Sequence, residues 1–253
     1  MNIDSGARAN LFDVIRELLG RGFTRLEVQR LDRAIDRLLG LEHRAPPVEA
    51  RLGGLSERFE SGGRGPGTVS SGAADPGGVS YGIYQLASRT GTAARFVASE
   101  GKPWARELAA TPGSSGFTAA WRRIAEREAD RFAEAQHAFI KRTHYDPAVK
   151  GVREKTGVNL DGFPAAVRDV VWSVSVQHGG AVKILTAAIA SAGAGNPRAL
   201  IEAIYAERTA YVLRVAGRTS GAARRTLERI TQARYPEERD LALAMLNSES
   251  EAA

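Results

Sequence analysis

Apolar side chains recur every three to four residues along most of this chain, the period of helices that bury one face. Leu11, Val14, Ile15, Leu18 and Leu19 form one stripe, and Leu26, Val28, Leu31, Ile35, Leu38 and Leu39 a second, predicting two amphipathic helices within residues 8–40. Gly20 and Gly22 separate them, and Thr24 followed by Glu27 has the spacing of a capping box. Pro46 and Pro47 mark a boundary. The pattern divides the chain into an N-terminal helical segment, residues 1–46, and a larger domain over 50–253. The first is either an appendage or part of the main packing.

The longest stripe of the larger domain joins Trp121, Ile124, Ala125, Phe132, Ala135, Phe139 and Ile140, and predicts one helix over 117–144. Asp146-Pro147 would end it and open a short helix to about Lys155. The segment PAAVRDVVWSVSVQ (164–177) is apolar on most sides, as a helix at the centre of a bundle must be. It has a proline at its first turn and Gly179-Gly180 beyond its end. Helices follow over 181–193 and 197–215 and in two segments between about 221 and 247, and the closing SESEAA reads as a frayed end.

The helical period fails between Leu55 and Leu86, where the chain runs LSERFESGGRGPGTVSSGAADPGGVSYGIYQL. Ten of the 27 glycines fall between Gly53 and Gly82. Beyond them, Val79 to Gln85 alternates and predicts a strand, with Val79, Tyr81, Ile83 and Gln85 on one face and Ser80, Gly82 and Tyr84 on the other. The predicted fold class is therefore mainly α, an α+β arrangement in which a helical bundle carries a small β-hairpin or sheet beside a cleft.

Two carboxylates punctuate this segment. Glu60 ends a short apolar-patterned stretch, where burial and the negative end of a helix would both keep its carboxyl protonated. Such a group is the proton donor that a leaving sugar oxygen needs. Asp75 sits in Ala-Asp-Pro-Gly-Gly, a polar turn that would leave it ionised, able to activate water or to stabilise a cationic transition state. Taken singly, Glu60 is also what any solvated glutamate looks like, and Asp75 what any turn aspartate looks like. Ser80, Tyr81 and Gln85 supply hydroxyl, aromatic and amide groups beside a glycine, which suits a sugar chain. Gln177 and His178, at the end of the central helix, are candidates for the opposite wall, with packing an equal alternative for His178. Arg64 is a further loop cation that could meet a substrate carboxylate.

Composition sharpens this in a few places. The chain has 253 residues, 43% of them apolar and 25% charged, enough for one substantial domain and a small one. No apolar run approaches the roughly 18 residues of a membrane span. The N-terminus lacks the basic start and apolar core of a secretory signal, so synthesis in the cytoplasm without such a signal is expected. With no cysteine, disulfides and thiolate zinc sites are excluded. The four histidines, His43, His137, His144 and His178, show no ligand spacing, so neither a metal nor another cofactor is expected. Nucleophilic-serine and phosphate-loop motifs are missing. The net charge of +6 is a mild excess that favours anionic polymers.

The segments GLSERFESGG and DPGGVSYGIYQ resemble the catalytic region of the lysozyme-like superfamily, with VVWSVSVQHGG (170–180) and IEAIYAERTAYV (201–212) in support. The resemblance extends over roughly residues 50–245. Its nearest members are peptidoglycan hydrolases found as phage endolysins and as lysozyme domains on VgrG-type secretion spikes, a group related to the chitosanases. It implies an α+β lysozyme-like fold and a muramidase that cleaves between N-acetylmuramic acid and N-acetylglucosamine. Glu60 would be its general acid and Asp75 the base of an inverting hydrolysis. Peptidoglycan would be the partner, reached in the periplasm after release or delivery, and the protein would work as a monomer. The basic amphipathic stretch 222–234 offers a face for anionic outer-membrane lipid, with a solvated surface as the simpler account; nucleic acid is not expected as a partner. A chitosanase, a lytic transglycosylase and a wall-binding module with a dead site remain the alternatives.

Overall fold

A computed structural model describes residues 14–15, 52–55, 65–72 and 77–252. The chain divides into two compact units, 1–50 and 51–253. Within the first, only Val14 and Ile15 are described, and both are helical. The helices expected over 8–40 and the Pro46-Pro47 boundary otherwise lie outside the described residues.

The glycine-rich region of the second unit feeds a small sheet. β1 (Ser80–Tyr81) pairs antiparallel with β2 (Leu86–Ala87), with Ser80 opposite Ala87 and Tyr81 opposite Leu86. The loop adds a third line to it: Val69 bridges Tyr81, Ser70 N donates to Ser80 O at 2.9 Å, and Gly82 N donates to Thr68 O at 2.7 Å. The strand expected over Val79–Gln85 is thus a two-residue strand running into a turn. Gly82 at φ +75° and Gln85 at φ +52° bend the chain back, and Ser80 through Ile83 are all buried, so no alternation survives.

Gln136 is the reason for the turn. Its Oε1 accepts from Ile83 N at 3.0 Å, and a Cβ added at Gly82 would come within 2.1 Å of that oxygen. Gly82→Ala should therefore cost about 2–4 kcal/mol, from backbone strain at positive φ and a displaced buried hydrogen bond. Thermal unfolding should fall by roughly 5–15 °C; an unchanged midpoint would show that the turn can relax away from Gln136.

The rest is helical. In chain order it comprises α1 (Thr92–Ala98), a 3₁₀ turn (Lys102–Trp104), α2 (Ser115–Arg127), α3 (Ala129–Ile140), α4 (Asp146–Thr156), α5 (Ala165–Gln177), α6 (Ala181–Ala192), α7 (Pro197–Ala216), α8 (Gly221–Arg229) and α9 (Tyr235–Ala252). Among the described residues the fold is mainly α with one small antiparallel sheet, as the apolar periodicity predicts. The single helix expected over 117–144 is instead α2 and α3, broken at Glu128 (φ −137°, ψ 46°). No glycine or proline announces the break. Glu128 occupies it by binding Arg127 at 2.7 Å and Arg131 at 3.0 Å, while Trp121 and Phe132 meet edge to face across it with centroids 4.6 Å apart.

Asp146-Pro147 opens the short helix α4 as expected, but does not interrupt the chain before it, which passes from α3 through one π-helical turn (Lys141–Tyr145) into α4 with Pro147 in the first turn. α5 is the central helix: Ala166, Val167, Val170, Val171, Trp172 and Val174 are all enclosed. The expected frayed end is also corrected. α9 continues to Ala252, and Glu249 accepts from the amides of Ala165 at 2.9 Å and Ala166 at 2.8 Å, capping the start of α5 from across the fold.

Candidate active site

Glu60, Asp75 and Arg64 lie outside the described residues. What the structure describes is the frame on either side of them. Gly53 N donates to Asp169 Oδ1 at 2.5 Å and Leu55 N to Asp169 Oδ2 at 2.7 Å, at the point where a helix opens with Gly54 and Leu55. Gly53 sits at φ +92°, and a Cβ there would lie 2.4 Å from Trp172 Nε1. Past Glu60 the chain is caught again, because Pro66 O accepts from Trp121 Nε1 at 2.8 Å and Gln136 Nε2 at 3.2 Å. The segment containing Asp75 leaves from Ser70 and returns at Ser80, which are hydrogen-bonded to each other.

These anchor points adjoin one another. Gln136 and His137 are neighbours on α3, and His137 stacks on Trp172 of α5 with centroids 4.5 Å apart. Tyr84 OH lies 3.3 Å from His137 Nδ1, and its ring is 6.0 Å from Trp172. α2, α3 and α5 therefore hold together the described anchors at Gly53, Leu55 and Pro66. Burial pushes the Asp169 carboxyl up to about 6, partly offset by the two amides that favour its charged form.

The residues expected to line the cleft fall into two groups. Tyr81, expected to face substrate, is a core residue with 0% exposure. Its hydroxyl bonds Thr118 Oγ1 at 2.9 Å and accepts from Gly113 N at 3.0 Å, and its ring meets Phe117 edge-on. Ser80 is also buried, its amide held by Ser70 Oγ at 2.8 Å. Gln85 is exposed, with its side-chain amide turned back to Gly82 O at 2.9 Å. Of the three, Gln85 alone presents itself at the surface.

Gln177 and His178 are neighbours at the end of α5, but their polar atoms are engaged by an interior network. Arg208 of α7, with 0% exposure, donates through Nε to His178 Nε2 at 3.1 Å and through Nη2 to Gln177 Oε1 and to Ser173 Oγ at 2.8 Å. Tyr235 OH donates to Gln177 Oε1 at 3.1 Å and lies 3.0 Å from His178 Nε2. Both residues also border a half-open pocket of about 220 Å³ walled by Tyr211, Val212, Val215, Leu227 and Ile230. Their first role is to hold α5, α7 and α9 together.

Burial, reinforced by Arg208 and Arg234, presses the His178 imidazole down to about 3. An unfolded histidine takes up a proton near pH 6.5. The folded protein accepts it only near pH 3, so stability present above pH 6.5 is lost as pH falls through that window. Denaturant unfolding at a series of pH values should show this slope, and His178→Gln should flatten it. A slope unchanged in the variant would assign acid sensitivity to other groups.

Asp169, Arg208 and Glu238 escaped the sequence reading, although the last two leave a trace there. Arg208 falls in register with Ile201, Ile204, Tyr205 and Val212, and Glu238 with Tyr235, Ala242 and Leu246. A charge on an apolar stripe is the signal of a buried charge. Among the described residues, no cluster of three or more His, Asp or Glu could hold a metal ion.

Residues 52–234 match the model of the family described as type VI secretion system spike protein VgrG3-like, C-terminal. The chain belongs to that family. It is also 43% identical, over 135 residues, to the type VI secretion system spike protein VgrG3 of Vibrio cholerae serotype O1. That alignment takes in 53% of this chain and 13% of the relative, so the chain corresponds to a small part of the longer spike protein. The expected membership of the lysozyme-like superfamily, phage endolysins included, is overturned by this match. The VgrG3-like match runs from Leu52, beside the Asp169 contact, to Arg234, beside Tyr235. It spans both carboxylates and every anchor of the frame.

Proposed function

We propose that this VgrG3-like domain is a muramidase that cleaves the glycan strands of peptidoglycan, with Glu60 and Asp75 as its catalytic pair. One observation carries the reading: both carboxylate-bearing segments are glycine-rich and tied at their described ends. The one with Glu60 is held by Asp169 of α5, Trp121 of α2 and Gln136 of α3. The one with Asp75 is closed by the Ser70–Ser80 hydrogen bonds and resumes in the turn that Gln136 holds at Ile83. Loops so anchored can be open to a long polymer and still hold two acids in register. In the proposed reaction Glu60 gives its proton to the glycosidic oxygen as that bond breaks. Asp75 takes a proton from water, whose oxygen bonds to the anomeric carbon from the opposite face. The net positive charge suits a wall rich in carboxylates.

The test is digestion of purified peptidoglycan with mass-spectrometric analysis of the ends. Reducing muramic ends support the proposal. 1,6-Anhydro ends would replace it with a lytic transglycosylase, and release from chitosan but not from peptidoglycan with a chitosanase. Co-sedimentation with walls that stay intact would leave a binding module.

A further inference from the structure

We propose that the half-open pocket where the end of α5 meets α7, α8 and the start of α9 is a binding site for an N-acetylated amino sugar, whose acetamido group it holds between two N–H donors and an apolar wall. The choice of an amino sugar among acetamido compounds rests on the muramidase reading; the chemistry of the pocket does not.

The interior network fixes which atoms of Gln177 and His178 are left over. Arg208 Nε can only donate, so His178 Nε2 accepts from it at 3.1 Å and the ring carries its proton on Nδ1. Burial keeps that imidazole neutral down to about pH 3. Gln177 Oε1 is taken by Arg208 Nη2 and Tyr235 OH, which makes Nε2 the free end of the amide. Neither His178 Nδ1 nor Gln177 Nε2 has a partner among the described residues, and neither is sealed from solvent. The sealed, unpartnered side-chain atoms there are Arg168 Nε, Trp172 Nε1, Thr186 Oγ1 and Tyr205 OH. Gln177 and His178 both line the pocket, which so has two unsatisfied donors of the kind that orient a ligand.

The remaining wall is Tyr211, Val212, Val215, Leu227 and Ile230. The Tyr211 ring stands edge-on to His178 with centroids 5.4 Å apart, and lies so close to Gly180 that a Cβ there would come within 3.0 Å of it. A volume of about 220 Å³ is below the roughly 300–1,000 Å³ of sites for drug-sized molecules, and suits a single unit of a polymer. No charged side chain lines the pocket, and the cation behind it, Arg208, is enclosed and paired with Glu238. A carboxylate would therefore be buried without a countercharge, and an ammonium would meet two donors and no acceptor. A neutral carbonyl bearing a methyl group fits both halves: its oxygen accepts from the donors and its methyl leaves water for the aliphatic wall.

The experiment titrates the ¹⁵N-labelled full chain with N-acetylglucosamine, glucosamine and acetate, following the side-chain amide of Gln177 and the imidazole nitrogens of His178 by NMR. A monosaccharide has no glycosidic bond to cut, so the readout is independent of Glu60 and Asp75. N-acetylglucosamine should shift the Gln177 side-chain amide and His178 Nδ1 saturably, with a Kd of about 1 mM. Glucosamine and acetate should bind at least tenfold more weakly. Val215→Trp, at a position already 37% exposed on α7, should fill the pocket and weaken N-acetylglucosamine at least tenfold. Equal binding of all three ligands, a Gln177 amide that does not move, or full affinity in a folded Val215→Trp would each overturn the proposal. If that variant fails to fold, the three wild-type titrations decide alone. Binding of this kind by a chain that leaves peptidoglycan uncut would remove the muramidase reading and keep the site. Cleavage with no response at Gln177 would keep the enzyme and remove the site.

Discussion

Replacing Glu60 with glutamine should cut cleavage of peptidoglycan glycan strands by about 10²–10⁴-fold, the usual contribution of a positioned proton donor. Glutamine keeps the shape and the hydrogen-bonding reach of the side chain and removes only the transferable proton. Sedimentation with insoluble walls should therefore be unchanged while release of soluble fragments falls. Asp75→Asn should fall comparably if Asp75 activates the water, and by less if it only stabilises charge. The two variants separate the chemistry from the frame, because neither residue is among the described anchors. Glu60→Gln active within tenfold of wild type would sink the assignment. The spike family would stand regardless, since it rests on the match over 52–234.

Arg208→Met should destabilise the protein by about 3–5 kcal/mol, because it removes a fully buried cation, leaves Glu238 to Arg234 alone and takes a donor from three acceptors on α5. Arg208 reaches Glu238 Oε1 at 3.5 Å, and both side chains have 0% exposure. Ser173 Oγ donates to the same carboxylate, Arg234 Nε reaches its other oxygen at 3.2 Å, and the guanidinium lies 4.3 Å from the centroid of the Tyr235 ring. Removing the cation thus frees acceptors on α5 and α9 at once: Ser173, Gln177 and His178 all lose a donor. In a domain of this size the midpoint of thermal unfolding should drop by roughly 10 °C. The double variant Arg208→Met, Glu238→Leu should regain part of the loss, since it removes the buried carboxylate together with its buried cation. Denaturant unfolding of both proteins checks this. A cost below about 1 kcal/mol for the single variant would mean that the three helices are secured by apolar packing alone.

The helices with glycine or proline at their ends were legible from the sequence: α5, α6 and α7 lie within a residue of the expected limits, because terminators act locally. The break at Glu128 was not, because its cause is the meeting of Trp121 with Phe132 and not a terminator. Alternation over Val79–Gln85 promised a strand, yet a single contact from Gln136, more than fifty residues away, made it a turn. The candidate wall failed in a similar way. Gln177 and His178 look available when α5 is read alone, and only the enclosed Arg208 of another helix shows where their polar atoms go. Local chemistry was readable, whereas pairing between distant segments was hidden.

That separation has a consequence for how the unit comes into being. The described parts of the glycine-rich segment close partly on one another and partly on distant helices. They lean on Trp121 and Gln136, 55 and 70 positions downstream of Pro66, and on Asp169, farther still. As the chain emerges from the ribosome, this segment precedes the helices it leans on and must wait for them. What is synthesised early is consolidated late, once the helices that anchor it have been made.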